Sequence, residues 1–196
     1  MNRPDGAAKG RPGDSVRPQS GETRDSDPVP EQTPARLTPR VPEAGPAPED
    51  GAVQRLAAVV SGARPPGLYR WLSRAHPAAV RRELATVGWD LHHLDGARIR
   101  DKAGLLDACS DSLQFPAYFG YNWDALADCL ADLSWLPDRG RVVLWDRYGV
   151  LAASDPDAWA TGREVFQSAA EERTAEGRSP LYTLVRGLGP TDAPVL

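Results

Sequence analysis

A chain of 196 residues, 41% of them apolar, has the material for one domain of ordinary size. The net charge of −4 is unevenly spread: residues 101–196 carry 15 acidic side chains against 8 basic ones, a balance of −7, which leaves +3 for residues 1–100. That acidic half argues against a nucleic-acid partner and suits a basic protein, while the absence of a signal-like or membrane-length apolar run predicts a cytoplasmic protein with no membrane partner.

In chain order, residues 1–50 hold ten of the nineteen prolines and no aromatic, so they are expected to form a disordered arm. Residues 51–88 form an extension: "VQRLAAVVSGA" reads as a helix ending at Gly62, "LYRWL" as a short strand, and "HPAAVRRELATVG" as a helix with Pro77 in its first turn and Gly88 at its end. From residue 89 to about 190 the elements alternate. "WDLHHLDG" is a strand running into an Asp-Gly turn; "DKAGLLDACSDSL" and "NWDALADCLADLSWL" are amphipathic helices; "RVVLW" is a buried strand; "DPDAWATGREVFQSAAEERTAEG" is a long helix; "PLYTLVRG" is the last strand. This order predicts an α/β domain with a small parallel sheet, because each crossover carries a helix.

Little of the usual catalytic equipment is present. The lysines are Lys9 and Lys102, and neither follows a Gly-rich phosphate loop. His92 and His93 are adjacent in a strand and point to opposite faces, so they do not chelate one ion together. Cys109 and Cys129 lie in apolar helical patterns and read as buried, reduced thiols; Cys129 also neighbours Asp128, whose charge disfavours a thiolate. No cofactor and no metal are implied.

The informative stretch is "FPAYFGYNWDALADCL", residues 115–130. Asn122 is placed as a helix N-cap, Asp124 falls in the first turn, and Asp128 and Asp132 follow on the same face. On spacing alone those acids are either a solvated helix face or, less simply, an acid–base pair or half a metal site. The loop before them shifts the balance. Phe115 and Phe119 are natural core residues, whereas Tyr118 and Tyr121 pair a ring with a hydroxyl, the profile of an interface anchor. Aromatics beside a row of carboxylates describe a docking face for a cationic surface better than a reaction centre.

These residues resemble the signature of the barstar family, cytoplasmic inhibitors of secreted microbial ribonucleases: a Pro, an aromatic pair, Gly, Asn, then Asp-Ala-Leu and Asp-Cys-Leu. The similarity runs from about Trp89 to Gly187. It implies a small three-stranded parallel sheet packed with helices, to which residues 51–88 add a helix and strand at the sheet edge or cover a surface otherwise open to a partner. It also implies a non-enzymatic inhibitor forming a one-to-one complex with a small basic ribonuclease. In that complex Asp128 mimics the RNA phosphate, Asp124 supports it electrostatically, and Tyr118 packs on the enzyme's catalytic base. Asn122, Tyr121 and a glutamate of the last helix, Glu172 with Glu171 as the other possible register, complete the partner-binding set. Two positions depart from the founding inhibitor: Ala127 stands where it has a tryptophan, and Trp123 where it has an aliphatic residue. Rival readings are a module of the same fold for a non-ribonuclease partner or toxin, and a hydrolase using Asp124 and Asp128.

Overall fold

The computed structural model describes residues 56–196; the arm 1–50 and the first residues of the extension lie outside that range. Residues 56–60 are helical (α1) and are followed by β1 (Gly67–Arg70), α2 (Pro77–Thr86), β2 (Asp90–Asp95), α3 (Lys102–Leu113) and α4 (Trp123–Asp132). Then come β3 (Arg141–Asp146), α5 (Gly149–Ser154), α6 (Pro156–Ala175) and β4 (Leu181–Arg186). The strands form one parallel sheet in the order β1-β4-β3-β2.

The sheet therefore has four strands, and the expected three are β2, β3 and β4. The fourth, β1, comes from the extension and pairs Gly67–Arg70 with Tyr182–Val185. The physical reason lies in β4, whose first five residues are all buried. Left at an edge, such an apolar strand would expose a row of unpaired amides and carbonyls. β1 closes that edge and is itself closed in turn: Leu68 N donates to Gln167 Oε1 of α6 at 2.9 Å, and the C-terminal tail bonds to both the amide and the carbonyl of Arg70.

Alternation along the strands divides the interior into two cores. Val142, Leu144, Tyr182, Leu184 and Trp71 face Leu56 and Val59 of α1 and Val80 and Leu84 of α2. Val143, Trp145, Leu181 and Val185 face α3 to α6, where Leu105, Cys109, Leu126, Leu130 and Phe166 are buried. The described part of the extension, residues 56–88, thus covers the sheet face opposite α4, and none of it packs on the outer side of α4. Two further differences from the sequence reading are local. α5 interrupts the segment before the long helix, and it carries no side-chain cap that would announce it. α4 stops at Asp132 because Leu133 turns left-handed (φ 49°) and buries its side chain.

At the carboxyl edge of the sheet, Asp146 of β3 accepts hydrogen bonds from His93 of β2 at 2.8 Å and from Arg186 of β4, so one carboxylate ties three strands. Arg186 also donates to Ala75 O, holding the β1–α2 connection to the same point. Burial pushes the Asp146 carboxyl up, but the bonds from Arg186 and His93 and their charges together outweigh it and hold the group below its ordinary value. A carboxyl depressed in the folded state stabilises above its unfolded pKa of about 3.9 and loses that contribution as pH falls through the folded value. Asp146→Asn is expected to cost about 1–3 kcal/mol at neutral pH and to flatten the loss of stability below about pH 4. Urea unfolding at several pH values checks this, and parallel pH profiles for the two proteins would contradict it.

Candidate protein-interaction site

The site is built on a loop and the helix it feeds. α3 ends at Gln114, which takes a left-handed conformation (φ 53°), and residues 115–122 then cross to α4. Phe115 and Phe119 stack edge to face with centroids 4.8 Å apart, and Phe115 meets Trp135 at 5.8 Å. Trp135 in turn donates its indole N–H to Leu113 O at 3.0 Å, so the underside of the loop is fixed by an aromatic cluster. Phe119 is buried, whereas Tyr118 is 74% exposed and Tyr121 55%. The division between core and surface rings is the one expected from the sequence. Tyr121 adopts φ 49°, and its ring rests 4.7 Å from that of Phe119.

Asn122 closes the loop onto α4. Its Oδ1 accepts from Ala125 N at 2.8 Å, and its Nδ2 donates to Gly120 O at 3.3 Å. A Cβ at Gly120 would lie 3.1 Å from that amide nitrogen, so a larger residue there would press on the cap. The cap satisfies one of the free amides at the helix start, and Asp124 adds a negative charge where the helix dipole favours it.

The far end of α4 is held by a residue the sequence reading passed over. Arg173 of α6 is buried, and its Nη1 donates to Ala131 O at 2.7 Å and Asp132 O at 2.9 Å, while Nε donates to Ser179 O. Arg178 adds a bond to Ala131 O at 2.7 Å and sits 3.6 Å from the Asp132 carboxylate. Two guanidiniums thus meet carbonyls that a helix end leaves unsatisfied and the negative pole of its dipole. The available signal was a lone cation continuing the apolar series Phe166, Ala169, Ala170 of α6.

This clamping separates the three acids. Asp132 is engaged by Ser134 and Arg178. Asp124 and Asp128 are exposed, one turn apart, and among the described residues no cation lies within ion-pair distance of either. Among those residues, too, no three His, Cys, Asp or Glu side chains gather as a metal site. Cys129 is buried, and burial followed by the charges of Asp128 and Asp132 pushes its thiol up; burial does the same to Cys109.

Trp123 turns inward. It is half-buried, lies beside Gly162 of α6, where an added Cβ would come within 3.7 Å of its ring, and has Lys102 Nζ 5.4 Å from its centroid. It locks α4 to α3 and α6 and leaves the outer face to the acids and tyrosines, with Ala127 half-buried between them. Of the two glutamates on α6, Glu171 accepts from Gln167 at 2.6 Å, on the side of the helix that serves β1. Glu172 is exposed and one helical step from Arg173, which faces α4. With about 100° per residue, that places Glu172 nearer α4 than Glu171.

Asn122→Ala is expected to cost about 1 kcal/mol and Arg173→Met about 2–3 kcal/mol of folding stability, because the second removes the side-chain donor from the carbonyls of Asp132 and Ser179 and leaves Ala131 O to Arg178 alone. Equilibrium unfolding measures both, and an Arg173→Met change within about 0.5 kcal/mol of zero would contradict the clamp.

A family model described as barstar (barnase inhibitor) matches residues 89–185. No curated protein matches the chain. Among solved structures, the ORC2 protein of Aeropyrum pernix, determined as ADPNP–ADP complexes, is similar with a TM-score of 0.51 and 14% identity. The likeness covers 72% of this chain and 40% of that one, and at this identity it is one of fold alone.

Proposed function

We propose, from the premise that this chain belongs to the barstar family through residues 89–185, that it inhibits a small basic ribonuclease by occupying the enzyme's active site with α4 and the loop before it. The observation that carries this reading is the pair of exposed carboxylates, Asp124 and Asp128, without an ion-pair partner among the described residues, on a helix fixed at both ends and flanked by Tyr118 and Tyr121. A ribonuclease holds an RNA phosphate with Arg, Lys and His. A carboxylate brought rigidly to that point takes charge-assisted bonds from the same groups and loses little entropy on docking.

The roles proposed are those that the family resemblance implies. Asp128, in the second turn and clear of the cap, is the phosphate mimic; Asp124 strengthens the field beside it. Tyr118, the more exposed ring, packs against the enzyme's base, and Tyr121 is a further contact of the loop. Asn122 acts through the cap, as a positioning residue, and Glu172 is the contact from α6. The acidic excess of the C-terminal half steers a basic enzyme toward this face. In this reading the complex is one to one and forms in the cytoplasm of the producing cell.

A module of the same fold for another protein is the second reading, and Ala127 favours it: a methyl group stands beside Asp128 where the founding inhibitor carries an indole. The two separate in one assay. Residual RNA cleavage by small secreted ribonucleases is measured with the native protein and with Asp128→Ala. Inhibition is expected, with a loss of at least about 30-fold in affinity for the variant, equivalent to about 2 kcal/mol. That is the general scale of interface hot spots, set in part by the founding complex of this same family. Unchanged inhibition by the variant would remove Asp128 from its role, and no inhibition of any such enzyme would favour the second reading. The association rate with an inhibited enzyme is expected to fall steeply between about 0.05 and about 0.5 M salt in stopped flow; a salt-independent rate would exclude charge steering.

A further inference from the structure

A separate cavity of about 610 Å³ lies over the carboxyl ends of β1, β3 and β4. Its place follows from the topology. The chain leaves β1 toward α2 on one face of the sheet and leaves β3 toward α5 and α6 on the other, so the two connections part around the end of β4, which stands between those strands. A crevice at such a parting, outside the carboxyl ends of parallel strands, is where open α/β sheets bind ligands, and its volume is within the range of small-molecule sites.

Its chemistry is cationic. Arg70, Arg74, Arg147 and Arg186 line it together with one carboxylate, Asp146. Arg186 is paired with Asp146, and Arg147 with Asp95 across the rim. Arg74 is exposed and makes no ion pair among the described residues, and the contacts of Arg70 are neutral ones, a 3.4 Å approach to Thr191 O and the hydroxyl of Tyr148. Arg70 and Arg74 therefore have no carboxylate partner among the described residues, and the exposed apolar wall beside them is formed by Leu72 and Leu188. Arg147 holds a left-handed backbone (φ 54°) at the rim, a conformation that favours Gly or Asn and costs an arginine free energy. No residue of α3 or α4 lines the cavity, so it is distinct from the acidic face.

We propose that this cavity binds the phosphate monoester of a small organic molecule. Arg70 and Arg74 match the two charges of the phosphate with their planar forks, and the apolar wall receives the organic part. A carboxylate ligand of one charge would leave one guanidinium unpaired, which is the reason for choosing the dianion.

The test titrates the full chain with 5′-AMP, ribose 5-phosphate, inorganic phosphate and adenosine by calorimetry, and follows amide NMR shifts. At least one of the two monoesters is expected to bind tenfold or more tightly than adenosine, with shifts centred on residues 70–74 and 185–189. If both do, the phosphate is read on its own; if only one does, the wall selects the organic part. The Arg70→Gln/Arg74→Gln double variant is expected to lose at least tenfold in affinity while keeping its circular dichroism spectrum and its ribonuclease inhibition. Arg74→Gln alone, at an exposed position, gives the same answer should the double variant misfold. Overturning results are the absence of binding by both monoesters at millimolar concentration, or affinity unchanged in these variants, which would place the ligand on another basic part of the chain.

Discussion

The two ends of α4 are held by opposite means. At the start a neutral amide, Asn122, takes up a backbone N–H and is itself held by Gly120 O; at the finish two arginines, Arg173 and Arg178, take up the carbonyls of Ala131 and Asp132. Between these points the helix buries Leu126, Cys129 and Leu130, and on its other face Asp124 and Asp128 have no ion-pair partner among the described residues. A helix of ten residues would be marginal alone. Fixed in this way it carries two carboxylates at a set spacing, the property on which the proposed docking depends. The buried Arg173 places a cation at one end of the helix, the tyrosine loop closes the other, and Trp123 against Gly162 sets the rotation of α4 on α6.

The remainder of the fold keeps that helix in place without covering it. The extension contributes a strand to one edge of the sheet and two helices to the face remote from α4, so the domain is enlarged away from the proposed docking face. The same enlargement creates a second feature. Once β1 joins the sheet, its exit toward α2 opens the cationic crevice over β4, and the Asp146–Arg186–His93 network ties that crevice to the strand ends. Two surfaces of opposite sign result, an acidic one on α4 and a basic one at the strand termini.

Much of this was legible in the residues. Apolar series with helical spacing marked α2, α3, α4 and α6, and continuous apolar runs marked β3 and β4, because buried parallel strands need not alternate. The loop aromatics could be sorted into core and surface by the hydroxyl alone. What escaped depends on contacts between distant segments. The pairing of β1 with β4 spans more than a hundred residues, and the engagement of Asp132 rests on Arg178 far along the chain. Arg173 carries the largest of these missed roles, since an arginine in an acidic run reads as solvated until the helix end it serves is known. α5 was missed for a local reason: six residues without a cap resemble loop as much as helix.

The central claim is that Asp128 stands where an RNA phosphate stands. Competition measures it most directly: the protein is titrated into a ribonuclease it inhibits, in the presence of rising concentrations of a nucleotide monophosphate bound at that enzyme's active site. Mutual exclusion is expected, with the apparent dissociation constant rising linearly with nucleotide concentration. A ternary complex, in which nucleotide and inhibitor bind together without loss of affinity, would contradict it.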